Sequence, residues 1–408
     1  MNTTETSGKT ALFAWEFGGH LGHIMNMLPL AKVLHARGYQ INFALKDLSR
    51  ANIIYDYNPA FKIFQAPVWT ARAQGATIPP QTLAQILQRY GYKNSNAVEA
   101  LVRAWLSIYD AVEPDLVVYD YTFTAQLAFR GLSAKQVTLG SGFFTPSFDE
   151  KTAELWVSEN DTALQLEHDE ASVLKVINVV CEKFKKEKLS FISDLNKVDA
   201  NFLSTFPELD HYKERSYFNY YGPIIESARF AKLEWTETPG RKKIFAYLKP
   251  GPVTEKILKV LSRLDCEAKI FLPGLSAKLR HEYESERMQF SLNPYDIKMA
   301  ALSSDLAICH AGHGTVATLL LYGCPLVLVP LQAEQSLLVR RTNDLGVSAS
   351  IFANDSEALV GKTINKVLKN DAYKKAALHF SKKYNKFTKV DPVVKIADDI
   401  DELMMKCS

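Results

Sequence analysis

Three short stretches carry residues whose types and spacing can do chemistry. "GGHLGH", residues 18–23, is a glycine-rich turn with His20 and His23 three residues apart. "HAGHGT", residues 310–315, repeats that histidine spacing with His310 and His313, and holds Gly312, Gly314 and Thr315. "PDLVVYD", residues 114–120, is an apolar run closed by Asp120. An imidazole, with an ordinary pKa of about 6.5, can accept a proton near neutral pH. A carboxylate beside it fixes its tautomer and stabilises the imidazolium, which is the arrangement of a general base. Glycines just before a helix let a ligand approach the backbone, and the free N–H groups of the helix end suit a phosphate or diphosphate. Neither HxxH pair has a nearby set of Cys, Asp or Glu to complete a metal shell, so no metal is expected. The glycines at 18, 19 and 22 do not fit the GxGxxG dinucleotide fingerprint.

These residues need elements to position them. "LFAWEF" (12–17) reads as a strand, and the histidine turn follows it. A helix is expected through "NMLPLAKVLHAR", with Asn26 as N-cap and Pro29 in the first turn, where its missing N–H costs nothing. "YQINFAL", "DLVVYD", "AKQVTLG" and "NFLSTF" supply further strands, and "NAVEALVRAWLSIYDAV" and "VLKVINVVCEKFKKEK" are helical in period. Residues 222–243 hold prolines and glycines with little periodicity and read as a linker. A second α/β series follows: strands "KIFAYL", "EAKIFL", "DLAICH" and "PLVLVP", helices "TEKILKVLSRL" and "TVATLLLYG", and a helical, lysine-rich tail. Open α/β sheets bind ligands beyond the carboxyl ends of their strands, and both histidine turns fall at such ends. Facing domains would bring His23, Asp120 and His310 to one cleft.

The bulk numbers agree. The 408 residues are about right for two domains. A composition 47% apolar and 23% charged is that of a globular protein, and a net charge of +3 gives no reason to expect nucleic acid or an acidic membrane as partner. The polar start lacks the apolar core of a signal peptide, and no run is long enough to span a membrane. The five scattered cysteines read as reduced thiols, so a cytoplasmic location is expected.

Taken together, these residues resemble the family 1 glycosyltransferases, the nucleotide-sugar-dependent group that includes UDP-glucosyltransferases and macrolide glycosyltransferases. "GGHLGHIMNMLPLAKVLHARGYQI" is similar to that family's opening, and "PDLVVYD" to its strand ending in the catalytic aspartate. "HAGHGTVATLLLYGCPLVLVPLQAEQSLLVRRTNDLGVS" looks like its donor-binding signature. The resemblance spans nearly the whole chain and is weakest at residues 50–100 and 145–200. It implies a GT-B fold, with two Rossmann-like domains facing across a cleft. Residues 1–221 would bind the acceptor, 222–243 link, 244–385 bind the donor, and 386–408 form a tail able to pack back on the first domain.

The resemblance also implies roles. His23 would be the base, oriented by Asp120, with His20 shaping the turn. His310, Gly312, Gly314 and Thr315 would take the diphosphate without a metal, and Glu334 and Gln335 would bond the donor sugar. Asn293 and Thr318 would lie at the nucleoside. Where the family has a ribose-binding glutamate this chain has Thr318, which leaves room for a dTDP- as well as a UDP-sugar. No cofactor beyond that co-substrate is expected. The function implied is inverting sugar transfer to a hydroxyl of a small, lipophilic acceptor. The alternatives are a protein or lipid-linked acceptor, or a degenerate sugar-nucleotide-binding partner protein.

Overall fold

The computed structural model describes residues 8–19, 22–70, 80–143, 145–148, 163–212, 215, 218–225, 230–236 and 238–406. His20 and Cys407 lie outside them. The chain forms two units. One comprises residues 1–204, 214–224 and 392–408, the other 205–213 and 225–391. Residues 205–213 therefore group with the second unit, although they precede the boundary expected at 221.

The first unit is built on a parallel sheet of β1 (Thr10–Trp15), β2 (Gln40–Leu45), β3 (Lys62–Gln65), β4 (Leu116–Asp120), β5 (Lys135–Gly140), β6 (Ala200–Leu203) and β7 (Asn219–Tyr220). Their order is β3-β2-β1-β4-β5-β6-β7. A parallel sheet is covered on both faces, so its strands are apolar without alternation. β4, "LVVYD", is buried at every position. Trp15 at the end of β1 stands opposite Asp120 at the end of β4.

The second unit repeats the plan. Its parallel sheet holds β8 (Lys242–Tyr247), β9 (Cys266–Phe271), β10 (Met288–Ser291), β11 (Leu306–Cys309), β12 (Leu326–Leu328) and β13 (Ser348–Ser350), in the order β10-β9-β8-β11-β12-β13. Tyr247 at the end of β8 pairs with Cys309 at the end of β11. In both sheets the strand order reverses once, between β1 and β4 and between β8 and β11.

The helix after β1 differs from expectation. It runs Gly22–Ala36, so Asn26 lies inside it and is not its cap, and Pro29 falls in its interior. An interior proline costs about 3 kcal/mol or more. The buried side chains Ile24, Met27, Leu28, Leu30 and Leu34 each contribute about 1.5–3 kcal/mol, which outweighs it. The early start puts His23 on the first helical turn.

The C-terminal helix Pro392–Met405 buries Val393, Ile396, Ala397 and Ile400 in the same core as Ile24, Met27 and Leu34. Arg37 pairs with Asp398 and Asp401, each at 2.7 Å, and the Tyr221 hydroxyl donates to Asp399 Oδ2 at 2.6 Å. No described helix is long and apolar enough to cross a membrane. The four described cysteines are buried and none forms a disulfide.

Apolar burial should hold this helix more than its ion pairs do. Ile400→Ala is expected to lower stability by about 2–5 kcal/mol, and Arg37→Ala, at the surface, by no more than about 1 kcal/mol. Urea denaturation of both variants checks this, and equal losses would contradict the ranking.

Candidate active site

The first unit's candidate residues gather at the reversal between β1 and β4. The chain leaves β1 through Glu16 and Phe17, whose N–H groups both donate to the Tyr121 carbonyl, at 3.3 and 2.9 Å. That carbonyl lies just beyond Asp120, on a residue with φ of 52°. The two loops are therefore tied together, and the tie places His23 beside Asp120. His23 Nδ1 is 3.1 Å from Asp120 Oδ2. The carboxylate has only an acceptor to offer, so Nδ1 carries the proton and Nε2 presents a lone pair. The imidazole stacks on Trp15 at 4.8 Å between ring centroids, with Tyr121 at 6.3 Å. The two side chains are 12% and 5% exposed, so their hydrogen bond is shielded from water while a route to the imidazole remains.

Gly18 is a requirement of this geometry. Its φ is +73°, and a Cβ there would lie 2.8 Å from His23 Nε2. The Lys46 ammonium, next after β2, donates to the Gly18 carbonyl and lies 5.2 Å from the centre of the Tyr90 ring.

Glu16 was missed in the sequence, where it reads as part of a strand. It is buried, and it accepts from the Thr122 hydroxyl and the Thr124 N–H, both at 3.1 Å. Burial pushes its pKa to about 8, against the lowering effect of those hydrogen bonds. An acid directly after a buried strand was the available signal.

In the second unit the candidate residues lie beyond the carboxyl ends of β8 to β12. Because the sheet is parallel, the loops holding Lys249, Asn293 and His310 and the loop that leads into the helix bearing Glu334 all leave from one edge. His310 has both ring nitrogens engaged. Nδ1 is 2.9 Å from the Val329 carbonyl, and Nε2 accepts from the Lys249 N–H at 2.8 Å. Burial lowers its pKa, so the ring is neutral. It thus tethers three strand ends and has no N–H left to offer a diphosphate.

Ala311 adopts φ of 57°, the left-handed conformation that favours glycine. Gly312 is the N-cap of the helix His313–Leu321 and makes no side-chain cap bond. A Cβ on Gly314 would meet nothing within 4 Å. The first-turn N–H groups of His313, Gly314 and Thr315 have no carbonyl within their own helix. This end of the helix, with the Thr315 hydroxyl, is what the turn offers an anion.

The remaining expected residues divide. Gln335 is buried, and its Oε1 accepts from the Leu331 N–H at 2.7 Å. Glu334 is half-buried one residue earlier, in the first turn of the helix Ala333–Asp344. Asn293 is exposed in a tight turn, where the Ser291 hydroxyl donates to its carbonyl at 2.6 Å. Thr318 is buried and donates its hydroxyl to the Gly314 carbonyl at 2.8 Å. That bond takes the donor group the sequence reading assigned to a ribose. His313 is also buried, and desolvation lowers its pKa to about 4. It diverges from His310, with Nε2 2.6 Å from Thr205 Oγ1.

Residues 270–393 match the model of the glycosyltransferase family 28 C-terminal domain. No curated protein matches the sequence significantly. Solved structures of the same fold include CalG4, the calicheamicin glycosyltransferase, with a TM-score of 0.73 and 15% identity over 98% of each chain. Glycosyltransferase VinC in complex with DTDP gives 0.61 and 14%, covering 96% of this chain and 100% of that one. The spinosyn rhamnosyltransferase SpnG complexed with spinosyn aglycone gives 0.65 and 15%, covering 95% and 98%.

The proton on Glu16 makes stability depend on pH. Below pH 4.5 both states hold it. Between 4.5 and about 8 only the folded protein does, so stability falls as pH rises and this contribution is gone above 8. The slope is about 1.4 kcal/mol per pH unit for one proton. Glu16→Gln should flatten it, as urea denaturation at pH 5, 6.5 and 8 would show. An unchanged slope in the variant would place the proton elsewhere.

Residues 270–393 thus match the glycosyltransferase family 28 C-terminal domain, and the chain as a whole has the GT-B fold of these solved structures.

Proposed function

We propose that the chain moves a sugar from a UDP- or dTDP-sugar to a hydroxyl of a small, lipophilic acceptor, with inversion and without a metal. The observation that carries this is the His23–Asp120 pair at the reversal of the first sheet, in which Nδ1 faces the carboxylate and Nε2 is the basic ring atom. His23 Nε2 takes the acceptor's proton as its oxygen bonds the anomeric carbon. The bond from that carbon to the diphosphate breaks, and its electron pair leaves with the diphosphate. Attack from the face opposite the leaving group inverts the configuration. Asp120 holds the imidazole in the reactive tautomer and stabilises the imidazolium.

The leaving diphosphate meets the first-turn N–H groups of His313, Gly314 and Thr315 and the Thr315 hydroxyl. Preorganised donors of this kind stabilise developing charge directly. His310 keeps that turn in place. Glu334 and the Gln335 amide bond hydroxyls of the donor sugar, and Asn293 lies toward the nucleoside. The DTDP bound by VinC and the spinosyn aglycone bound by SpnG support this choice of donor and acceptor class.

His23→Ala should lower the transfer rate by roughly 10²–10⁴-fold, the usual loss for a general base. Its calorimetric affinity for UDP and dTDP should stay at the wild-type value. Asp120→Asn should lose rate in the same sense while folding normally, because an amide NH₂ facing Nδ1 favours the wrong tautomer. Near-wild-type turnover by His23→Ala would remove the assignment. A rate that collapses in chelator and returns with magnesium or manganese would remove the metal-free mechanism.

A further inference from the structure

The second unit holds a side-chain cluster to which sugar transfer assigns no joint role. Residues 205–213 enter this unit by burying Phe206 and Leu209 in its core. Glu208 pairs there with Lys383 and Tyr384, and Arg341 Nη2 donates to the His211 carbonyl at 3.3 Å. The segment thereby carries His211 to the His313 ring, 5.2 Å between centroids and inclined by 39°. One nitrogen from each ring and one Glu334 carboxylate oxygen lie within 4.8 Å of one another.

The His313 ring is arranged as a ligand would be. Its Nε2 faces the Thr205 hydroxyl, whose single proton is directed at the Phe206 carbonyl, 3.4 Å away. Nε2 therefore carries the ring proton and Nδ1 the lone pair. That Nδ1 is fully buried and has no hydrogen-bond partner. Metal-ligating histidines characteristically donate their other N–H to such a neighbour. Two imidazoles and a carboxylate are a zinc donor set, with metal–ligand distances near 2.0–2.2 Å and an open fourth position. Tetrahedral ligands at those distances stand about 3.3 Å apart, inside the 4.8 Å that bounds the three ligand atoms here.

We propose that His211, His313 and Glu334 form a site for a zinc-type divalent cation, and that its occupancy opposes donor binding. The second half rests on the assignment of Glu334 to the donor sugar. A carboxylate oxygen held by the metal is withdrawn from the sugar's hydroxyls. Zinc is thus an inhibitor of this protein, while the transfer itself proceeds without metal.

The test begins with chelator-treated, metal-free protein titrated with Co²⁺, a spectroscopic stand-in for Zn²⁺, and with Zn²⁺ by calorimetry. One equivalent should bind, with visible d–d bands of low coordination number. His211→Ala, His313→Ala and Glu334→Gln should each weaken binding by roughly tenfold or more. Circular dichroism confirms folding, and Glu334→Gln, at a half-buried position, keeps the test open if a histidine variant fails to fold. Absence of a stoichiometric site, or equal affinity in all folded variants, overturns the site. This arm uses no nucleotide sugar, so it stands or falls apart from the transfer activity. In the second arm, one equivalent of Zn²⁺ should raise the dissociation constant for UDP- or dTDP-glucose at least severalfold, reversibly with chelator. An unchanged constant at saturating zinc overturns the antagonism and, with it, the sugar-binding role of Glu334.

Discussion

Parallel strands can be joined only by crossovers, and in each sheet of this protein the crossovers change direction once. The loops after β1 and β4 therefore part to opposite sides, as do those after β8 and β11. A crevice at such a point is forced by the connectivity, whatever side chains line it. His23 and Asp120 stand at the first of these reversals, and His310 with the turn that follows it at the second. Trp15 and Asp120 end adjacent strands in register, and Tyr247 and Cys309 do the same in the second sheet. Moving either pair would mean shifting the register of a sheet buried on both faces.

Within that frame, local interactions decide what each loop can do. The Tyr121 carbonyl holds the N–H groups of Glu16 and Phe17, and Glu16 in turn holds the Thr122 hydroxyl and the Thr124 N–H. The two loops are cross-braced in both directions around one histidine. The brace contains a carboxyl whose pKa burial lifts to about 8, so desolvation outweighs the hydrogen bonds that favour its charge. At the other reversal the division of labour is different. His310 is locked between Val329 and Lys249, so in the proposed reaction the diphosphate falls to backbone N–H groups of the following helix.

Much of this was legible in the sequence because its signals are local. Apolar runs ending in glycine-rich turns mark the strand ends, and "PDLVVYD" placed Asp120 at the end of β4. The start of the helix at Gly22 was not legible, because the core burial that tolerates Pro29 depends on contacts far away in sequence. Residue type likewise failed to reveal which ring atoms are engaged. His310 and His313 share a motif yet bond in different directions, and Thr318 turns its hydroxyl into its own helix. His211 was invisible for the same reason. Its segment joins the second unit through Phe206 and Leu209, and nothing in "FPELDHY" announces the histidine it meets.

The central claim is that His23, oriented by Asp120, activates an acceptor hydroxyl for direct displacement of a nucleoside diphosphate. Anomeric configuration reports on this more directly than rate. The purified chain, in excess chelator, is given α-linked UDP- and dTDP-glucose with a panel of polyketide and phenolic acceptors. The product is read by the proton coupling constant at the anomeric carbon. The account predicts a β-glucoside and one equivalent of nucleoside diphosphate. An α-glucoside would contradict it, because retention requires a different arrangement of the reacting groups from a single displacement driven by one base.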